Sequence, residues 1–119
     1  MVKKDKGKFG EKLAKGFLTE KGYKIIKENF RTKFGEIDLI AEKDNQIIFI
    51  EVKYRTNPQF GKAEDTINPI KLKKIYNTAQ IFLNCYKTNI KNFRIDIIAI
   101  NNFDKLEINH YQNIILEDI

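Results

Sequence analysis

Apolar residues recur along this chain in two rhythms, one suited to helices and one to strands. From about Asp5 to Lys21, Phe9, Leu13 and Phe17 repeat at the spacing of one helix face, and Gly22 stands where that helix should stop. Shorter runs follow at Tyr23 to Asn29, Glu36 to Ala41, Gln46 to Lys53 and Arg94 to Ile100. They are rich in Ile, Val and Phe and short enough for strands. Ile47 to Ile50 and Ile95 to Ile100 read as buried on both faces. Before the Arg94 run, Asn68 is placed as a helix cap and Pro69 at the first helical position. Leu72, Ile75, Ala79 and Phe82 then form an apolar stripe that ends near Cys85. A last strand is expected from Leu106 to Tyr111. The order αβββαββ predicts an α/β fold, with a single mixed β-sheet flanked by helices.

Nothing divides these elements into separate units. The chain has 119 residues, and its prolines, Pro58 and Pro69, fall near the middle with no Gly-rich or repetitive stretch around them, so a single domain over residues 1–119 is expected. Every apolar run is far short of the roughly 20 residues a bilayer requires, which argues against a membrane partner. The amino-terminal segment is Lys-rich but lacks the apolar stretch of a signal peptide, so a cytoplasmic location is expected. Cys85 is the lone cysteine; it allows no internal disulfide and no zinc cluster, and it reads as a small buried hydrophobe at the helix end.

The candidate chemistry comes from strand register. Asp44-Asn45, within the polar stretch Glu42 to Asn45, suits a two-residue turn that needs positive φ, so the flanking strands should pair antiparallel. Opposed residues then have numbers that sum to 89, which sets Asp38 across from Glu51, with Cβ atoms roughly 4.5–5.5 Å apart. Two like charges opposed so closely need a proton or a cation between them, and a divalent metal is the natural candidate. Strand alternation puts Lys53 on the face of Glu51 and turns Val52 the other way. Carboxylates holding a metal beside a lysine suit phosphodiester hydrolysis, in which Lys53 orients or deprotonates the attacking water. A Glu-x-Lys triplet alone also describes a solvated strand face or an ion pair. Here, however, Asp38 and Glu51 interrupt apolar strands, where an idle charge is expensive. The same register sets Glu36 opposite Lys53 as a simple partner.

Gly35-Glu36-Ile37-Asp38-Leu39-Ile40-Ala41, followed by Ile50-Glu51-Val52-Lys53-Tyr54-Arg55, resembles the core of restriction-endonuclease-like nucleases. The whole chain resembles the YraN family of small proteins, similar in fold to archaeal Holliday-junction resolvases. Gly10-Glu11-x-x-Ala14, Gly22-Tyr23, Asn29-x-Arg31, Phe60-Gly61, Lys71, Arg94-x-Asp96 and Ile108-x-His110 carry the resemblance in order. It implies a restriction-endonuclease-like fold with Asp38 and Glu51 as ligands of Mg²⁺ or Mn²⁺, Lys53 as the catalytic lysine and Glu11 as a further acid. Glu11 shares a helix face with Ala14 and Leu18, so that face either lies on the sheet and brings the carboxylate to the site or leaves an ordinary surface glutamate. The chain departs from many such nucleases by having Ile37, not proline, before the first aspartate. It also departs from the family by reading Asn113-Ile114-Ile115-Leu116 after the histidine.

Charge adds a partner. Lys and Arg number 22 against 16 Asp and Glu, a net +6 and a pI near 9.3. Lys3, Lys4, Lys6, Lys8 and Lys12 crowd the first segment, while Arg55, Lys62, Lys71 and Lys74 surround the candidate site as nucleic-acid contacts. Such contacts give salt-dependent, largely sequence-independent binding, and DNA is expected before RNA. The segment Arg55 to Ile67 reads as a mobile loop in which Tyr54 and Phe60 either stack on bases or anchor to the core. Arg94 and Asp96 either face the site or pair with each other, and His110 reads as structural or surface. Resolvase-like relatives act as dimers, so the resemblance implies a homodimer. The reading is a metal-dependent nuclease or nucleic-acid-processing protein that hydrolyses phosphodiester bonds, with branched or single-stranded DNA as the expected substrate. The alternative is a non-catalytic nucleic-acid-binding module on the same fold, and a scaffold indifferent to nucleic acid is a third option.

Overall fold

In the computed structural model, which describes the backbone of residues 3–115 and the side chains of residues 6–115, the elements follow the expected order. Helix α1 (Lys3–Glu20) leads into β1 (Lys24–Thr32), β2 (Gly35–Lys43) and β3 (Gln46–Arg55). Helix α2 (Pro69–Cys85), β4 (Asn92–Asn102) and β5 (Leu106–Tyr111) complete the fold. The strands lie in one sheet in the order β1-β2-β3-β4-β5, with β3 parallel to β4 and every other pair antiparallel. A parallel pair needs a crossover, and α2 supplies it. This is the α/β architecture with one mixed, flanked sheet that the apolar pattern predicts. The side chains of Lys3 and Lys4 lie outside the described residues.

Local chemistry sets the element ends. Gly22 adopts φ 89 and stops α1, with the Tyr23 N–H donating to the Leu18 carbonyl at 3.0 Å. Asp44 and Asn45 take φ 49 and 60, the conformation of a tight hairpin turn, and β2 and β3 pair with numbers summing to 89 from Lys43–Gln46 to Leu39–Ile50. Asn68 caps α2 by accepting the Lys71 N–H at 2.9 Å, with Pro69 at the first helical position.

The sheet carries a core on each face. On one side Ile37, Ile40, Ile47, Phe49, Ile95 and Ile97 pack with Leu72, Ile75, Ala79 and Phe82 of α2. On the other, Leu39, Ala41, Ile48, Ile50, Ile98 and Ile100 pack with Ala14 and Leu18 of α1. Removing such side chains from water contributes roughly 1.5–3 kcal/mol each, which is what makes the double-sided burial of β3 and β4 favourable. The buried stripe of α1 is Gly10, Ala14 and Leu18, one residue on from the expected Phe9, Leu13 and Phe17. The small residues decide this, because Gly10 lies so near β3 that a Cβ there would stand 2.7 Å from Tyr54 Cβ.

Two further expectations are corrected. Cys85 is exposed; the ring of Tyr86 stacks on Phe82 at 4.9 Å and covers the end of the apolar stripe in its place. The segment expected as a loop after β3 instead holds two short 3₁₀ turns, Pro58–Phe60 and Ala63–Thr66. Ala63 is buried and donates its N–H to Asn101 Oδ1 at 2.8 Å, tying the second turn to β4. Among the described residues no helix is long and apolar enough to cross a membrane.

Candidate active site at the strand fork

The ladder between β2 and β3 ends at Leu39–Ile50, one step short of the expected pairing of Asp38 with Glu51. Beyond that point the strands part, and Asp38 Oδ2 accepts the Val52 N–H at 2.8 Å. The two carboxyls still meet, within hydrogen-bonding range across the fork. β1 is irregular beside it: its pairing slips between Ile25 and Lys27, and Asn29 takes the left-handed φ of 53 that asparagine tolerates.

Each layer sends a group into this fork. Glu11 arrives from α1 and hydrogen-bonds with Asp38, because the close contact at Gly10 seats that turn of helix on β3. Asn29, with its amide nitrogen turned toward the acids, donates to Glu11 Oε1 at 3.0 Å and to Glu36 Oε1 at 3.3 Å. From the other face, Lys71 Nζ of α2 stands 3.2 Å from Glu51 Oε2, and Lys53 Nζ stands 3.9 Å from the same oxygen. Glu51, only 8% exposed in its side chain, is thus charge-matched by two lysines. Glu36 does not pair with Lys53; it forms an ion pair with Arg31 at 3.2 Å, because the opened ladder removes the expected register.

Proton affinities follow from this packing. Burial, aided by the hydrogen bond and charge of Glu51, pushes the Asp38 carboxyl up to about 9, so it holds a proton at neutral pH. Glu11 is raised as well, chiefly by burial. Burial and the neighbouring Lys71 bring Lys53 down to about 8, whereas Lys71 is raised, the Lys53 amine and the Glu51 charge outweighing its own burial.

These groups fit a hard divalent cation. The donors are all oxygen, and Asp38 and Glu51 keep a proton between them where a cation would relieve both. Among the described residues no group of three or more His, Cys, Asp or Glu side chains is set to enclose a metal. A cation held here would take Asp38 and Glu51 and complete its shell with water or phosphate oxygens, the usual habit of Mg²⁺.

Residues 10–100 match the family described as uncharacterised protein family UPF0102. A UPF0102 protein of Thermodesulfovibrio yellowstonii is 46% identical over 113 residues, covering 95% of this chain and 97% of the relative. One from Clostridioides difficile is 43% identical over 115 residues, covering 95% and 98%, and one from Vibrio parahaemolyticus is 44% identical over 108, covering 90% and 88%. The chain belongs to UPF0102, the YraN family.

All residues of the fork lie inside the segment that matches UPF0102. Elsewhere in this UPF0102 chain, Arg94 and Asp96 pair with each other and not with the fork. Fully buried Asp96 accepts from Arg94 Nε at 3.0 Å, from the Asn113 N–H at 2.9 Å and contacts His110 Nε2 at 2.8 Å. Arg94 also donates to Gln46 Oε1 at 2.7 Å and to the Tyr23 hydroxyl at 2.9 Å, so this network ties the sheet together. His110, in contact with Phe17 and Tyr23, is structural. Tyr54 anchors, with its ring 5.7 Å from Phe9 and its hydroxyl accepting from Asn102, while Phe60 is exposed. Arg55 donates to the Phe60 carbonyl, and Lys62 and Lys74 are exposed.

Two residues of the fork make contacts that the sequence reading does not anticipate. Asn29 is a strand-depleted residue in a strand-like run, a signal that was available. Lys71, expected as a nucleic-acid contact, lies against Glu51, and its place in the run Lys71-x-Lys73-Lys74 gives no hint of that.

Proposed function

We propose that this protein is a metal-dependent nuclease that hydrolyses phosphodiester bonds of DNA, branched or single-stranded. The observation that carries the reading is the fork itself: Glu11, Asp38 and Glu51 converge from α1, β2 and β3 beside Lys53. In the metal-free fork a proton on Asp38 and two ammonium groups on Glu51 supply the positive charge, which is the place a divalent cation would take. Asp38 and Glu51 would hold Mg²⁺ or Mn²⁺, which when bound supplies charge neutralisation at phosphate and a water of lowered pKa. Lys53 faces the same carboxylates and orients the attacking water through its ammonium or, deprotonated, takes its proton. Water adds to phosphorus, the P–O ester bond breaks, and the leaving oxygen takes up a proton. Glu11 holds Asp38 in place, and Arg55, Lys62, Lys71 and Lys74 grip the flanking phosphates.

The test is cleavage of labelled duplex, single-stranded, flapped and four-way-junction DNA and matching RNAs with Mg²⁺, Mn²⁺ or EDTA, comparing wild type with Asp38→Asn. The expected result is metal-dependent product from wild type, lost by at least a hundredfold in Asp38→Asn with binding retained. Salt-sensitive binding without product on every substrate would instead identify a non-catalytic nucleic-acid-binding module.

A further inference from the structure

Glu51 has two lysines and they are not equivalent. Lys71 Nζ is the nearer, at 3.2 Å against 3.9 Å, and its side chain is 44% exposed where that of Lys53 is 16%. Lys71 projects from the first turn of α2, whose backbone is fixed by the Asn68 cap, so its long stem alone decides where the ammonium goes. Lys53 extends from the same strand as Glu51, two residues away, and stays tucked into the fork.

An ammonium lying against a carboxylate competes with any cation for that charge. From this geometry we infer that Lys71 is an exchangeable counter-ion: it neutralises Glu51 while no divalent cation is bound, and transfers to a phosphate of the nucleic acid when a cation claims the carboxylate. The inference rests on the nuclease reading above and adds an order to it. Cation and nucleic acid each free a group that the other needs, so each tightens the binding of its companion, and by linkage the factor is the same in both directions.

Two measurements test this. Mn²⁺ is titrated into the metal-free full chain without nucleic acid and followed by electron paramagnetic resonance, for wild type, Lys71→Ala, Lys71→Gln and, as a control for net charge, exposed Lys87→Ala. A labelled four-way junction is then titrated with and without Ca²⁺ and followed by fluorescence anisotropy. Removing the competing ammonium is expected to tighten Mn²⁺ binding about five- to tenfold in both Lys71 variants and not in Lys87→Ala. The same variants should bind the junction more weakly and gain less from Ca²⁺ than wild type. A residue that merely supported the fold would move both affinities the same way. Wild type that binds Mn²⁺ beside Lys71 variants that bind it equally or less tightly overturns the inference alone. Wild type that binds no Mn²⁺ overturns the nuclease reading with it. Lys71→Gln keeps an unbranched polar side chain without the charge and serves if Lys71→Ala loses its helical circular dichroism.

Discussion

Asp38 is the residue on which opposing demands meet: it accepts a backbone N–H, shares a proton with Glu51 and faces Glu11. Because its carboxyl is raised to about 9, the folded metal-free protein binds a proton there that the unfolded chain releases near pH 4. Its stabilising contribution is therefore complete below about pH 4 and is lost as pH climbs toward 9. Chemical denaturation of metal-free protein should show stability falling between about pH 5 and 7.5, by at most about 1.4 kcal/mol per pH unit for one proton. Asp38→Asn should flatten that slope. Lys53, lowered to about 8, acts with the opposite sign at the alkaline edge of this window, whereas Glu11, also raised, acts with the same sign as Asp38. Asp38, Glu51 and Lys53 were legible because charge in an apolar strand demands a reason. The Glu36 pairing was not, since a ladder that opens after Leu39 leaves no mark on the alternation that predicts its register.

At the scale of elements, the seating of α1 decides whether Glu11 reaches the fork. Gly10→Ala gains about 1 kcal/mol in helix propensity but puts a methyl 2.7 Å from Tyr54 Cβ, an atom too near the backbone to swing aside. Overpacking of this kind costs about 1–3 kcal/mol, so the variant should show a lower urea midpoint despite its better helix former. Caps and turns were readable in advance, since Gly22, Asn68-Pro69 and Asp44-Asn45 have chemistry specific to their conformations. The buried stripe of α1 lies one position from the one the periodicity predicts, because large apolar residues dominate a periodicity count whereas contact with the sheet is made by small ones and Leu18. The turns between β3 and α2 resemble loop in the sequence for a related reason: Ala63 is held by Asn101, a partner far along the chain.

For the whole molecule, a net charge of +6 would act on DNA as a polyanion before any single contact forms. With a divalent cation bound, so that Arg55, Lys62, Lys71 and Lys74 are all free for phosphates, the logarithm of affinity for duplex arms should fall against the logarithm of salt concentration with a slope of about −3.6. Arg55→Ala should reduce that slope by about 1, as read by anisotropy across a salt series. The sheet order also gives the site a history. The hairpin that carries Asp38 and Glu51 is made early, but β3 lies between β2 and β4, and β4 comes only after α2 has crossed over. A chain emerging from the ribosome thus carries both carboxylates before Lys71 and the sealing strand exist. The fork is therefore complete only once the crossover is made, and its acidic half always precedes Lys71.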